Sequence, residues 1–260
     1  MLNILRYSFF DLMRSRWSYF YFAFYLALGF ALLFLNNSLP KAIITLMNLI
    51  VVLTPLIGTI FGVMYFYNSR EFTELLLAQP IKRSTIFMGQ YLGIAGSLSM
   101  SLVLGLGIPF LLYGILLSGE IINFMFLLID GALLTFIFVA LAFILSLYNE
   151  NRIKGFGYAI LMWLFFAVIY DGLFLIFLLV FENYPLDKFS LIATMLNPID
   201  LSRILVLLKL DISALLGYTG AVFQQFFGTA MGLFLSTFTL ILWCLFPVGI
   251  ILRICKKKDF

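Results

Sequence analysis

Six stretches of this chain, residues 17–36, 42–67, 85–117, 121–148, 156–181 and 229–252, are at least twenty residues long and hold at most one charged side chain each. A helix needs about 20 apolar residues to cross a hydrocarbon core roughly 30 Å thick. Backbone polar groups in lipid must pair within their own segment, so each stretch is expected to be a transmembrane helix. The fold class that follows is an all-α polytopic membrane protein, with residues 1–260 as one transmembrane domain. Charged residues make up only 11% of the chain, against about a quarter in a soluble domain. The spans leave no room for a sizeable soluble domain.

Sidedness follows from Lys and Arg. Arg6, Arg14, Arg16, Arg70, Lys82, Arg83, Arg152, Lys154, Arg253 and Lys256 to Lys258 fall on one side, twelve in all. Only Lys41, Lys188, Arg203 and Lys209 fall on the other. The twelve-charge side is expected to be cytoplasmic, with both termini inside a bacterial inner membrane. The net charge of +4 reflects this rule and implies no nucleic-acid partner. The opening MLNILRYSFFDLMRSRW lacks a short apolar core followed by a small-residue cleavage site, so it does not read as a cleavable signal. Leu2, Leu5, Phe9 and Leu12 recur there at helical spacing. Residues 1–16 are expected to form an amphipathic helix on the inner leaflet. Neither Cys244 nor Cys255 lies on the outer side, so no external disulfide is available.

Between the second and third spans the chain reads NSREFTELLLAQPIKRSTIFMGQ. Phe72, Leu75, Leu76 and Gln79 recur at helical spacing, and Arg70 and Glu74 form an i, i+4 pair. Pro80 ends the pattern, and Lys82 and Arg83 follow at headgroup level. The spacing predicts a short cytoplasmic helix within 68–84. It could rest on lipid, or dock into a groove on another protein. The third span carries Gly89, Gly93, Ser97, Ser101 and Gly105. This ladder of small residues admits a close helix neighbour, from the same chain or from a second copy. Gly228, Gly232 and Ser236 repeat the spacing in the last span.

Residues 182–228 are too long for a turn and too apolar for a disordered linker. Asn197 and Pro198 read as an N-cap and first helical position. Leu201, Ile204, Leu205 and Leu208 share a face, with Asp200, Arg203 and Lys209 elsewhere. Gly217 and Gly220 interrupt the segment, and FQQFFG leads back to the membrane. Two or three short helices on the outer surface are expected, capping the bundle or holding an external partner.

The stretch 68–90 resembles the coupling region of ABC-2-type transporter permeases, in Glu71, Glu74, Leu75 to Leu77, Pro80, Ile81 and Arg83. Residues 195–228 are similar to the permease subunits of nitrous-oxide-reductase maturation transporters. The resemblance implies Arg70, Glu71, Glu74, Pro80, Lys82 and Arg83 as the contact with a cytoplasmic ATPase. It also implies a second copy of the chain and a periplasmic β-helical copper-handling partner, seated near Asn197, Pro198, Asp200 and Arg203. An ABC-2 exporter of a lipid, drug or peptide is the alternative on the same architecture.

The chain lacks G-x-x-x-x-G-K-[ST], so ATP and Mg are expected on a partner and no catalysis here. Two carboxylates sit within spans, Asp130 toward the outer end of its helix and Asp171 toward the middle of its own. Intramembrane acids are costly. An intramembrane aspartyl protease would pair two of them, but Asp130 follows Leu128-Ile129 where that chemistry uses Gly-x-Gly-Asp. A polar contact at a helix interface is the expected role of both. Copper would want clustered soft ligands. The chain has no histidine, and its two cysteines are eleven residues apart, so no metal site is expected. A secondary transporter would show broken helices in paired halves. Pro55, Pro109 and Pro247 supply kinks, but the halves show no repeat.

Overall fold

The computed structural model describes residues 2–36, 38–181, 186–209 and 230–257. Every regular element among them is helical. Among the described residues, six spans are long and apolar enough to cross a bilayer. They are α2 (Arg16–Leu35), α3 (Leu39–Asn68), α5 (Arg83–Leu112), α6 (Ile121–Tyr148), the continuous stretch Arg152–Val180, and α11 (Ala230–Lys257). The fifth span is α7 (Arg152–Leu164), a π-helical turn (Phe165–Ile169) and α8 (Tyr170–Val180). Shorter helices precede, link and follow these spans: α1 (Leu2–Arg14), α4 (Arg70–Leu77), α9 (Asp187–Leu196) and α10 (Pro198–Lys209). The third span is shorter than the apolar run suggests. It stops at Leu112, and Gly114 turns the chain at φ +89° before a 3-10 turn, Ile115–Leu117.

Close contacts give the relative directions of the spans. Side chains at Gly58 and Gly62 of α3 would meet the Thr135–Ala142 stretch of α6, and one at Gly131 would meet Ile50. Both registers advance together, so the second and fourth spans run parallel. Tyr67 lies against Gly155, and Trp163 Nε1 donates to the Val52 carbonyl at 3.2 Å. The fifth span is therefore antiparallel to the second. These are the directions that alternating crossings require.

The ladder of small residues on α5 is filled from within the chain. A Cβ at Gly89 would lie 2.9 Å from Ile4, one at Gly93 would lie 2.8 Å from Ser8, and one at Gly105 would lie 2.8 Å from Tyr25. Ser101 Oγ reaches Met13 Sδ at 3.9 Å. Contacts thus climb α5 as α1 and then α2 ascend. The inward face of α1 is Ile4, Ser8 and Leu12, held on α5 in addition to any lipid contact. Ser15 makes the joint, with extended backbone and a hydroxyl accepting from Ser18 N at 3.2 Å. Gly228 lies outside the described residues, as do Gly217, Gly220 and Lys258.

α6 is the central helix. Two-thirds of its apolar stretch is buried, against 6% for the fifth span. Phe138 and Phe143 of α6 are fully enclosed with Phe87 and Tyr91 of α5. Tyr91 donates to the Phe136 carbonyl at 3.2 Å, tying α5 to α6.

Substituting Gly93 by Leu is expected to force α1 off α5 and cost about 1–3 kcal/mol, the range for over-packing a filled site. Thermal unfolding of the purified chain should show this loss. Gly157→Ala, where nothing lies within 4 Å of an added Cβ, should leave the midpoint unchanged.

Candidate functional site

On the side expected to be cytoplasmic, α4 is an eight-residue helix set across the start of α5. It ends at Leu77, three residues before Pro80, because the residue preceding a proline disfavours helical backbone and Pro80 itself has no N–H to donate. The orientation of the helix is not set by its apolar residues. Thr73 points inward, and Leu75 is 69% exposed. A polar contact sets the rotation. Gln90, buried in α5, donates from Nε2 to Thr73 Oγ1 at 2.8 Å, and that hydroxyl donates to the Ser69 carbonyl. Phe72 stacks on Tyr7 of α1 at 4.6 Å. Glu71, Glu74 and Leu75 are left on the outward surface. Arg70 pairs with Glu74 at 3.1 Å. Pro80 is exposed, and Lys82 caps the start of α5, followed by Arg83 as its first residue.

Beside α4 lies a cleft of about 430 Å³, closed opposite by the turn after α6. Its walls include Arg70, Glu74, Leu77, Asn149 and Glu150. Tyr67 fixes this turn by donating to the Asn149 carbonyl at 2.6 Å. Asn151 caps α7 through its side chain, accepting from Ile153 N. The turn at 149–151 was not singled out in the sequence, where only the Asn-rich stretch NENR hints at a cap.

On the opposite side, α9 and α10 turn back on each other at 113°. They do not rest on the outer surface, as their amphipathic pattern suggests. Phe189 stacks on Phe177 at 4.3 Å, Tyr170 donates to the Ala193 carbonyl at 2.6 Å, and Asn197 Nδ2 donates to the Phe166 carbonyl at 2.8 Å. The partners on the fifth span therefore run from 177 down to 166 as α9 descends. At 1.5 Å per residue this is a drop of about 16 Å. Arg203 of α10 then meets Asp171, back toward the outer end. The pair forms a re-entrant hairpin whose tip, Asn197, sits near mid-span. The physical reason is burial: Ile199, Leu201 and Leu205 are fully or almost fully enclosed, which a surface helix could not achieve.

Polar groups at that depth must be satisfied locally. Asn197 does this in three directions. Its Oδ1 accepts from Ile199 N at 3.0 Å, capping α10, and its Nδ2 serves both the Phe166 carbonyl and Asp200 Oδ2. The π-helical turn alters the backbone ladder at Phe165–Ile169, and the Phe166 carbonyl within it receives the Asn197 amide. Trp243 of α11 donates to the Met195 carbonyl at 3.1 Å.

The two groups of residues that the sequence suggested separately meet here. Arg203 bonds Asp171 at 2.7 Å and lies 3.6 Å from Asp200. Ser202 donates to buried Asp130. Asn197, Asp200, Arg203 and Asp171 thus form one network joining the hairpin to the fifth span, and the separate Ser202–Asp130 contact joins it to the fourth. Pro198 opens α10 as its first residue. The outer continuation, residues 210–229, and the side chains of Lys188, Leu208 and Lys209 lie outside the described residues. Among the described residues no three His, Cys, Asp or Glu side chains converge as metal ligands.

Two curated proteins resemble the chain, and no protein-family model matches it. The "probable ABC transporter permease protein NosY" of Stutzerimonas stutzeri is 26% identical over 176 residues, 65% of this chain and 64% of that protein. The protein of the same description from Pseudomonas aeruginosa is 28% identical over 189 residues, 68% of this chain and 67% of that protein. The match thus spans a little under two-thirds of the first relative's length.

Asn197→Ala removes a helix cap and leaves the Phe166 carbonyl without its donor. The expected loss is about 2–4 kcal/mol, summing a cap and a buried unpaired group. Arg203→Ala should cost about 1–3 kcal/mol, below the range for a fully buried pair because both partners are about 30% exposed. Unfolding in mixed micelles measures both, and a double-mutant cycle with Asp171→Asn should return a coupling of the same order.

Proposed function

We propose that this chain, an ABC transporter permease of the NosY type by its similarity to those two proteins, transmits ATP-driven motion from a cytoplasmic ATPase to a partner on the outer face. The observation that carries the proposal is α4. It shows an acidic surface of Glu71 and Glu74 beside exposed Leu75, yet its inner side is fastened to α1 and α5. A short helix that is free outside and anchored inside suits a docking element that passes displacement to the bundle. The cleft between α4 and the 149–150 turn offers a recess beside it.

From α4 the mechanical path is continuous. Gln90 places α5 under Thr73, Tyr91 joins α5 to the Phe136 carbonyl of α6, and Asp130 of α6 holds Ser202 of the hairpin. A push at α4 is therefore felt at α10 without any reaction on this chain. ATP and Mg belong to the ATPase: the sequence has no phosphate loop, and among the described residues no three potential ligands converge on a metal site. The permease acts as a pair of copies with two ATPases, its termini in the cytoplasm of a bacterial cell. Its outer partner is the copper-handling protein that serves maturation of nitrous oxide reductase, and Asn197, Pro198, Asp200 and Arg203 organise the hairpin on which it is seated. Copper is the partner's cargo. The lack of any local cluster of soft ligands in the sequence, with no histidine, two cysteines eleven residues apart and no two of the ten methionines closer than twelve, supports a transmitting role over a conducting one.

Glu71→Lys with Glu74→Lys is the test. The double variant should lose little in unfolding midpoint, since both side chains are exposed and the Arg70–Glu74 pair lies at the surface, while ATPase co-purification or reductase copper loading falls sharply. Normal assembly together with full copper loading would contradict the proposal.

A further inference from the structure

Below the hairpin tip, α11 carries an open groove of about 810 Å³. Met195 and Leu196 close its upper end, Trp243 and Phe246 line its length, Gly249 forms an open stretch of floor, and Arg253 stands at its lower end. The groove runs from Thr239 to Arg253, about 21 Å of helix. One leaflet of the hydrocarbon core is about 15 Å deep, so the groove spans one leaflet and reaches its headgroups. Lys256, exposed and three residues beyond Arg253, extends the basic end on the same helix face.

We propose that this groove is a binding site for one inner-leaflet phospholipid, with an acyl chain against Trp243 and Phe246 and the phosphate at Arg253. Charge chooses the occupant. A second copy of the chain seated here would cover the Arg253 guanidinium with apolar helix, which costs free energy unless a counter-charge is supplied. A phospholipid brings that counter-charge at the right depth. The shape agrees, because the wall is almost wholly apolar until Arg253. The Thr239 hydroxyl is already committed to the Leu235 carbonyl at 2.8 Å. The bound chain would pack beneath Met195, whose carbonyl holds Trp243, and so brace the hairpin from below. The proposal rests on the sidedness set by Lys and Arg and goes beyond the ATPase-linked role.

Native mass spectrometry of the purified full-length chain, titrated with dioleoyl phosphatidylglycerol, tests it. One lipid per chain should persist at collision energies that strip the rest. Gly249→Trp fills open floor, where an added Cβ meets nothing within 4 Å, and should abolish the retained lipid. Arg253→Gln leaves the groove open and should weaken retention about fivefold, the effect of one basic residue at an anionic surface. Unchanged retention in both variants would overturn the proposal. So would loss of the dimer with lipid retention intact, which would make the groove a seat for the second copy.

Discussion

An amide nitrogen near the middle of a membrane, giving its protons to a backbone carbonyl, is the contact on which the outer half of this protein depends. The hairpin of α9 and α10 brings two helix ends into a region where water cannot satisfy them. Asn197 covers the exposed start of α10, reaches the Phe166 carbonyl in the π-helical turn of the fifth span, and steadies Asp200. π-turns of this kind are uncommon and concentrate at functional sites. Here the turn and the hairpin tip make sense only together.

The remaining contacts follow from that anchor. Once the tip is fixed, α10 lies beside α3 and α6, and its Ser202 and Arg203 come within reach of Asp130 and Asp171. Two acids that would be costly alone in a span each gain a partner from the hairpin. On the opposite face the logic is reversed. There Gln90 holds Thr73 of α4 inward, and Leu75 is left exposed beside Glu71 and Glu74. The protein thus has a firmly anchored short helix on one side, a locked hairpin toward the other, and a tightly packed α5–α6 pair between them.

Much of this was legible in the sequence. The six crossings follow from the apolar runs, and the start of α10 from Asn197-Pro198, because both depend on local chemistry. The depth of α10 was not legible. Leu201, Ile204 and Leu205 make the same stripe whether a helix lies on a surface or enters a bundle, and only the partners on the fifth span distinguish the two. The π-turn has no signal in FFAVI, since the residue that uses it is thirty-one positions away. The inward turn of Thr73 was not legible, because nothing in the sequence shows that its hydroxyl has a buried partner in Gln90. The ladder on α5 announced a close neighbour but not that α1 and α2 would share it.

The depth of residue 196 tests the central claim most directly. A nitroxide on Leu196→Cys, with Cys244 and Cys255 replaced and the protein in bilayers, reports its exposure to oxygen and to a water-soluble nickel chelate. The re-entrant hairpin predicts high oxygen access and strong protection from the chelate, as for a mid-span position. Free access to the chelate would place α9 and α10 on the membrane surface and undo the link between the hairpin and the spans.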